Sequence, residues 1–104
     1  MAIQSPVDEY APSRCNFIYV CRVEADGTFA LGPSGWTVER MAAGSYRITH
    51  NLGHQRYAVM PLVKGTYKST ITLLNFADDD VTLGTQDNQS NSDLAFTVAI
   101  LATR

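Results

Sequence analysis

Two histidines on either side of a short turn have the spacing in this 104-residue sequence that most resembles a metal site. His50 and His54 are separated by Asn-Leu-Gly. On a helix, His-x-x-x-His would place both imidazoles on one face for zinc. Asn and Gly instead favour a turn because both tolerate positive φ, and the neighbouring sequence offers no further ligands. We predict that His50, Asn51 and Gly53 form a structural turn or a subunit contact, and that no metal or other cofactor binds.

Other patterns that could carry chemistry are incomplete. The acidic run Asp78-Asp79-Asp80 lacks the alternating ligands, central Gly and distal Glu of an EF-hand, so it is interpreted as a solvated turn. No serine lies in a Gly-x-Ser-x-Gly elbow, and no glycine-rich phosphate loop is present. We therefore predict that the protein is not an enzyme.

Aromatic and cysteine side chains have both functional and structural interpretations. Trp36, Tyr46 and Tyr57 could form a stacking platform for sugar rings, although their alternating positions favour the core. Cys15 and Cys21 lie six positions apart in one predicted strand, on the order of 20 Å at the strand rise. That distance is too long for a disulfide, so both are predicted to be small apolar residues in a reducing compartment.

Length and composition indicate one globular domain. The hydrophobic fraction is 45% and the charged fraction 17%, which are ordinary values for a folded protein. The net charge of −2, with basic residues scattered singly, argues against nucleic-acid binding. The longest mostly apolar stretch, residues 94–102, is too short for a membrane-spanning helix, and no signal peptide is recognisable. We predict neither a nucleic-acid nor a membrane partner.

The first residues differ in composition from the rest of the chain. Residues 1–14 contain Pro6 and Pro12 and only scattered apolar groups, so we interpret them as an extended N-terminal arm before a single β-domain at 15–104. Such an arm either frays or lies on a neighbouring subunit. In the second case Val7 and Tyr10 are the candidate partner contacts.

The remaining sequence alternates between β-rich segments and turn signals, without helical periodicity. The fold class is predicted as all-β, a small antiparallel β-sandwich or open barrel. The predicted strands are residues 16–24, 28–31, 36–40 paired with 45–50, 56–63, 69–76, 81–83 and 94–101.

Three details of this pattern carry specific expectations. Ile18 and Val20 make the second face of the first strand apolar, so its first half is predicted to be buried on both sides. Pro61 predicts a strand end, a bulge or an edge because it has no amide hydrogen. The last strand has one small-residue face, containing Ala95, Thr97 and Ala99, which suits close packing against another sheet or another subunit.

Residues 84–92 are predicted to form a polar loop, because their composition is poorly suited to a core. Gln86, Asn88 and Asn91 in this loop are candidate partner contacts.

The stretch from Gly35-Trp36-Thr37-Val38 through Gly44-Ser45-Tyr46-Arg47-Ile48-Thr49-His50-Asn51-Leu52-Gly53 to Tyr57-Ala58-Val59-Met60 resembles a β-module of bacteriophage and prophage virion proteins. Such modules, found in tail fibres among others, read Trp-x-Val, a short hairpin, Gly-x-Tyr-x-Ile/Val-x-His-x-Leu-Gly and a hydrophobic strand. The resemblance covers residues 35–63, 29 of 104.

This resemblance implies a structural protein of the virion, made in the cytoplasm of the host bacterium. The chain begins at Met1 without heptads or a collagen-like repeat, which favours a capsid decoration (cement) protein over a complete tail fibre. The implied partners are further copies of the chain, as a homotrimer, and capsid or other virion proteins. The alternative is a tail-fibre or tail-tip module that binds a host receptor or surface glycan.

Overall fold

The computed structural model describes residues 17–103 of the chain. Within this range all regular structure is β-strand, without helices. The strands are β1 (Phe17–Val23), β2 (Phe29–Leu31), β3 (Thr37–Ala42), β4 (Ser45–Thr49), β5 (Tyr57–Val63), β6 (Ser69–Phe76), β7 (Asp80–Asp87), β8 (Ser90–Asn91) and β9 (Phe96–Ala102).

The strands form two antiparallel sheets that pack face to face. Sheet I has the order β2-β1-β9-β5, and sheet II has the order β3-β4-β7-β6, with β8 paired to β7. The chain passes from β1 and β2 to sheet II, returns for β5, passes back for β6 to β8, and ends with β9 between β1 and β5. The predicted all-β class is confirmed, and of the two architectures predicted it is the sandwich.

Strict alternation of side chains places one face of each sheet in the core. The inward residues of β9 are fully or almost fully buried, as are those of β4 and β7. Burying side chains of this size stabilises the fold by about 1.5–3 kcal/mol each relative to exposure. The buried hydrophobic residues are Cys21, Val23, Tyr46, Ile48, Tyr57, Val81, Leu83, Phe96, Val98, Ile100 and Ala102.

The prediction of a polar loop at residues 84–92 is wrong for most of these residues. Strand β7 continues to Asp87, a turn at Asn88 and Gln89 follows with φ of 52° and 67°, and β8 pairs back onto β7. Thr85 is fully buried, and its hydroxyl donates a hydrogen bond to the Ser92 carbonyl oxygen at 2.5 Å. Satisfying that hydroxyl removes most of the cost of burying it.

The expectation that β1 is buried on both sides in its first half is also wrong. Ile18 is 67% exposed and Val20 is 43% exposed. Their side chains point away from sheet II, and no described strand packs over that side of sheet I. Alternation identified the two faces correctly but did not show that only one of them is covered.

Pro61 lies in β5, which is an edge strand of sheet I, as one of the predicted alternatives required. An edge is where the ladder tolerates a residue without an amide hydrogen.

Two parts of the prediction lie outside the described residues: the arm with Val7 and Tyr10, and Cys15. Cys21 is a free cysteine in the core, and burial raises the pKa of its thiol to about 11.

Candidate functional site

The side of sheet I that faces away from sheet II is almost entirely apolar. The pairing of β1, β9 and β5 arranges its side chains in three rows across the strands. A leucine of β2 extends the third row, because Leu31 pairs with Arg22. The rows are Ile18–Leu101–Ala58, Val20–Ala99–Met60 and Leu31–Arg22–Thr97–Leu62. These ten residues are called the outer face below.

The outer face is uneven. Met60 is 61% exposed and Leu62 72% exposed, so the β5 side stands out from the sheet, while the β9 side chains between β1 and β5 are half-buried. An open hollow of about 330 Å³ lies at the third-row end, between Arg22 and Leu62 and above Thr97.

The opposite outer surface, on sheet II, is polar apart from Leu74, which is 57% exposed and lies over Gly84. This surface carries an ion pair between Arg47 Nη2 and Glu39 Oε1 at 2.8 Å. The pairing of β3, β4, β7 and β6 places hydroxyl side chains around it. They are Thr37, Ser45, Thr49, Thr70, Thr72 and Thr82. One surface of the sandwich is therefore suited to water and the other to a contact that excludes water.

A second candidate site is an open groove of about 350 Å³ at the end of sheet II where β6 begins and β7 turns into β8. Tyr67 is 92% exposed there, and the Lys68 Nζ lies 5.7 Å from the centroid of its ring. The other lining residues are polar: Thr70, Gln86, Asn88 and Gln89. We call this the tip groove. An exposed aromatic ring beside amide side chains is an arrangement that can bind a polar ligand with flat apolar faces.

A carboxylate joins the hairpin loop between β3 and β4 to the segment before β9. The Gly44 amide donates a hydrogen bond to Asp93 Oδ1 at 2.7 Å, and Arg40 Nε donates to Oδ2 at 2.9 Å. The Tyr46 hydroxyl lies 3.3 Å from Oδ1 and donates at 2.7 Å to the Ala25 carbonyl oxygen. The Gly44 amide, followed by Arg40 and Tyr46, holds the pKa of the Asp93 carboxyl below its ordinary value.

His50 is buried between rings. Its ring centroid lies 4.6 Å from that of Tyr57 and 5.7 Å from that of Trp36. Its Nδ1 accepts a hydrogen bond from the Leu52 amide at 3.1 Å, and its buried Nε2 has no hydrogen-bond partner. Burial lowers the pKa of His50, although the nearby Asp79 acts in the opposite direction. The ring is therefore neutral at pH 7.

The aspartate turn holds the histidine turn in place. The Asp79 carbonyl oxygen accepts hydrogen bonds from the amides of His50 at 2.8 Å and Asn51 at 3.0 Å, and Asp79 Oδ1 accepts one from the Gly53 amide at 3.0 Å. Asn51 and Gly53 have φ of 58° and 77°. The structure thus brings together two segments that the sequence left separate.

Trp36, Tyr46 and Tyr57 do not form an exposed platform for sugar rings. Tyr46 is fully buried and Tyr57 is 8% exposed, while Trp36 packs partly buried against the core. The Tyr57 hydroxyl donates to the Ala77 carbonyl oxygen at 2.5 Å, and burial raises the pKa values of Tyr46 and Tyr57 to about 12. The alternating positions of these aromatic residues predict this core placement.

Two of the candidate contacts line the tip groove, and a third is hydrogen-bonded to one of them. Gln86 and Asn88 line it, and Gln86 Nε2 donates a hydrogen bond to Asn91 Oδ1 at 3.2 Å. The exposed Tyr67 and its neighbour Lys68 were missed in the sequence, where they appear only as a connection between two strands. Their position next to Asn88 depends on the hydrogen bond from the Asn88 amide to the Lys68 carbonyl oxygen at 3.1 Å.

Within residues 17–103, no group of three or more His, Cys, Asp or Glu side chains is placed to hold a metal ion. The same range contains no helix long and apolar enough to cross a membrane. No protein family, curated protein sequence or solved structure matches this chain.

Proposed function

We propose that this chain is a non-enzymatic structural protein of a bacteriophage particle that decorates the surface of the head as an oligomer. The observation that carries the proposal is the difference between the two outer surfaces of the sandwich. One is an apolar array that includes Ile18, Met60 and Leu62, and the other carries hydroxyl side chains and an ion pair.

An apolar surface of this kind supports an assembly role because burying it against protein removes it from water. The polar surface of sheet II stays hydrated in such an assembly. The resemblance of residues 35–63 to a β-module of virion proteins supplies the setting. The tip groove, with Gln86 and Asn88, and the predicted arm at 1–14 are the proposed contacts with capsid proteins.

The internal contacts of the polar side chains also support a structural role. Asp93 ties Gly44 and Arg40 together, and His50 accepts a hydrogen bond from its own turn. The Asp93 carboxylate and the His50 imidazole, which could in principle take part in chemistry, are both used to hold the backbone in place. Rigid surfaces lose less conformational entropy when they bind, which favours assembly.

The proposal is tested by counting copies in purified particles of the phage that encodes the chain. A decoration protein is expected in a copy number comparable with that of the major head protein, and heads without it are expected to rupture at a lower temperature. The purified protein should also cosediment with heads that lack it. A few copies per particle, located on the tail, would contradict the proposal.

The second candidate function is a receptor- or carbohydrate-binding module at the tail tip, and the tip groove favours it. The exposed ring of Tyr67 could stack on a sugar, with the side chains of Gln86 and Asn88 as hydrogen-bonding groups. Tyr67→Ala should then abolish binding to host cells, whereas Tyr67→Phe, which keeps the ring, should retain most of it. If both variants bind host cells as well as the wild type does, this function is rejected.

A further inference from the structure

We infer that the outer face of sheet I pairs with the same face of a second copy across a two-fold axis. This inference concerns the partner of the same surface on which the proposed function rests. It is tested on the purified chain alone, so its failure is distinguishable from a failure to bind phage heads.

The end rows of the outer face complement each other under a two-fold rotation. Consider a two-fold axis that runs across the strands over the middle row, Val20–Ala99–Met60. It exchanges the first and third rows, so that Leu101 of one copy faces Thr97 of the other. Ala58 in the same way faces Leu62. In both contacts a large side chain meets a small one, as close packing requires, while Val20, Ala99 and Met60 on the axis each face their own counterpart.

The hollow at the third-row end is part of this fit. It measures about 330 Å³ and lies between Arg22 and Leu62. The two-fold axis places Leu101 of the second copy over Thr97 in this hollow, and Ile18, which is 67% exposed, over Arg22 at its wall. The first row of each copy thereby lies over the third row of the other and closes its hollow. A contact of this kind, in which each copy supplies the same patch, closes as a dimer.

Charge placement agrees with this arrangement. Arg22 is the charged residue among the ten, and Lys64 lines the hollow beside it; both lie at the third-row end, away from the axis. The two arginines of a pair are therefore at opposite ends of the contact. Each aliphatic stem can cover Ile18 of the other copy while the guanidinium reaches water at the rim.

The free edge next to the outer face is less suitable for pairing than the face itself. Strand β5 is at that edge and contains Pro61, which cannot donate a backbone hydrogen bond to an added strand. An edge strand with a proline resists continuous pairing with another chain. The contact is therefore expected through side chains, sheet against sheet.

The size of the face predicts a weak dimer. Ten residues at ordinary strand spacing cover roughly 300 Å² of sheet, and their protruding side chains expose somewhat more. Two copies would together bury on the order of 800–1,000 Å², just below the range of stable complexes. Copies bound close together on one surface would pair far more readily, because their effective concentration is high.

Sedimentation of the full chain tests the pairing. From about 10 μM to about 1 mM the average mass should rise towards that of a dimer, as expected for a small interface. Met60→Lys places two like charges opposite each other at the axis and should raise the dissociation constant at least tenfold. Thr72→Lys makes the same change of charge on sheet II and should leave the dissociation constant unchanged.

Crosslinking tests the axis, in a Cys15→Ser background. Val20→Cys lies on the middle row, so its two copies should join through a thiol crosslinker of about 8 Å, since stacked sheets lie about 10 Å apart. Ile18→Cys is the matched control on the same strand. Its two copies would be displaced by about 13 Å along the strands and should crosslink poorly.

A dimer that Met60→Lys dissociates and Val20→Cys captures supports the inference. A monomer at the highest concentration overturns it, as does an association that Met60→Lys leaves unchanged. A trimer, which the resemblance to virion proteins implies, would overturn the two-fold pairing. If removing residues 2–14 creates association that the full chain lacks, the chain's own arm covers the face and the inference is wrong.

Discussion

Asp93 and Gly44 lie 49 residues apart in the sequence, yet the Gly44 amide donates a 2.7 Å hydrogen bond to Asp93 Oδ1. This bond joins the β3–β4 hairpin loop of sheet II to the segment that leads into β9 of sheet I. The same carboxylate accepts a hydrogen bond from Arg40. Asp93 is therefore a connection between the two layers of the sandwich.

We expect Asp93→Asn to lower the melting temperature at pH 7, because the charge that Arg40 and the Gly44 amide stabilise is lost. The pKa of Asp93 is lowered in the folded state, so the wild-type carboxylate contributes stability above its unfolded pKa. That contribution disappears as the pH falls through the folded pKa. In thermal unfolding experiments across the acid range, the melting temperature of the variant should therefore fall less with decreasing pH than that of the wild type.

The control is Glu39→Gln, which breaks the exposed ion pair with Arg47. A pair of this kind contributes at most about 1 kcal/mol. If Asp93→Asn unfolds at the same temperature as Glu39→Gln and wild type, the proposed connection between layers has no energetic importance.

We expect Gly44→Ala to destabilise the fold by about 3 kcal/mol. Its φ is 69°, and an added Cβ would lie 2.9 Å from the Ser92 backbone nitrogen and closer still to the Thr85 carbonyl oxygen. The cost adds left-handed strain of about 1–2 kcal/mol to overpacking of about 1–3 kcal/mol. Denaturant unfolding measures it.

Gly35→Ala is the matched control for this substitution. Gly35 has φ of 86°, but an added Cβ there would meet nothing within 4 Å. Its cost should therefore be the strain alone, about 1 kcal/mol. Equal losses in the two variants would show that the backbone around Gly44 moves to accept a methyl group.

We expect the stability of the protein to fall between pH 7 and pH 5 because of His50. Burial lowers its pKa in the folded state, so the unfolded chain binds the proton more readily. The neutral ring contributes its full stability above the unfolded pKa of about 6.5, and this is lost as the pH falls through the lower folded value. Urea unfolding at a series of pH values measures the slope.

His50→Phe should reduce that slope, since the ring stays between Trp36 and Tyr57 but no longer titrates. It should also lose some stability at pH 7, because the Leu52 amide loses its acceptor. An unchanged slope in the variant would show that His50 does not titrate in this interval.

We expect two isoleucines on the two faces of sheet I to respond differently to truncation. Ile100 is fully buried, so Ile100→Ala should cost about 2–5 kcal/mol, as large-to-small core substitutions do. Ile18→Ala on the outer face should cost no more than about 0.5 kcal/mol in dilute solution. A large loss for Ile18→Ala would mean that the outer face is covered even in the monomer.

The alternation of apolar residues in the sequence predicts much of this fold. Alternation within the predicted strand at 45–50 places Tyr46 and Ile48 on one face, and both are fully buried. The pattern is local, since each residue points opposite to its neighbour. It does not say which layer covers which face, and for that reason Ile18 was predicted to be buried.

The candidate surfaces were harder to predict because they depend on contacts between distant segments. Thr85 looked like part of a polar loop, but its hydroxyl is bonded to the Ser92 carbonyl oxygen inside the fold. Tyr67 gave no signal, since a single tyrosine between two strands is common in connections. Only the pairing of β6 with β7 places it beside Gln86 and Asn88.

The central position of β9 in sheet I has a consequence for the order in which the chain folds during synthesis. Phe17 pairs with Ala102, and Tyr57 pairs with the same residue from the other side. Until the ribosome has released residue 102, β1 and β5 have no common neighbour. Contacts of such long sequence separation form slowly, so sheet I should complete only after translation of β9. Until then the inward faces of β1 and β5 lack the strand that joins them, and partly folded chains with exposed apolar surface are prone to aggregate.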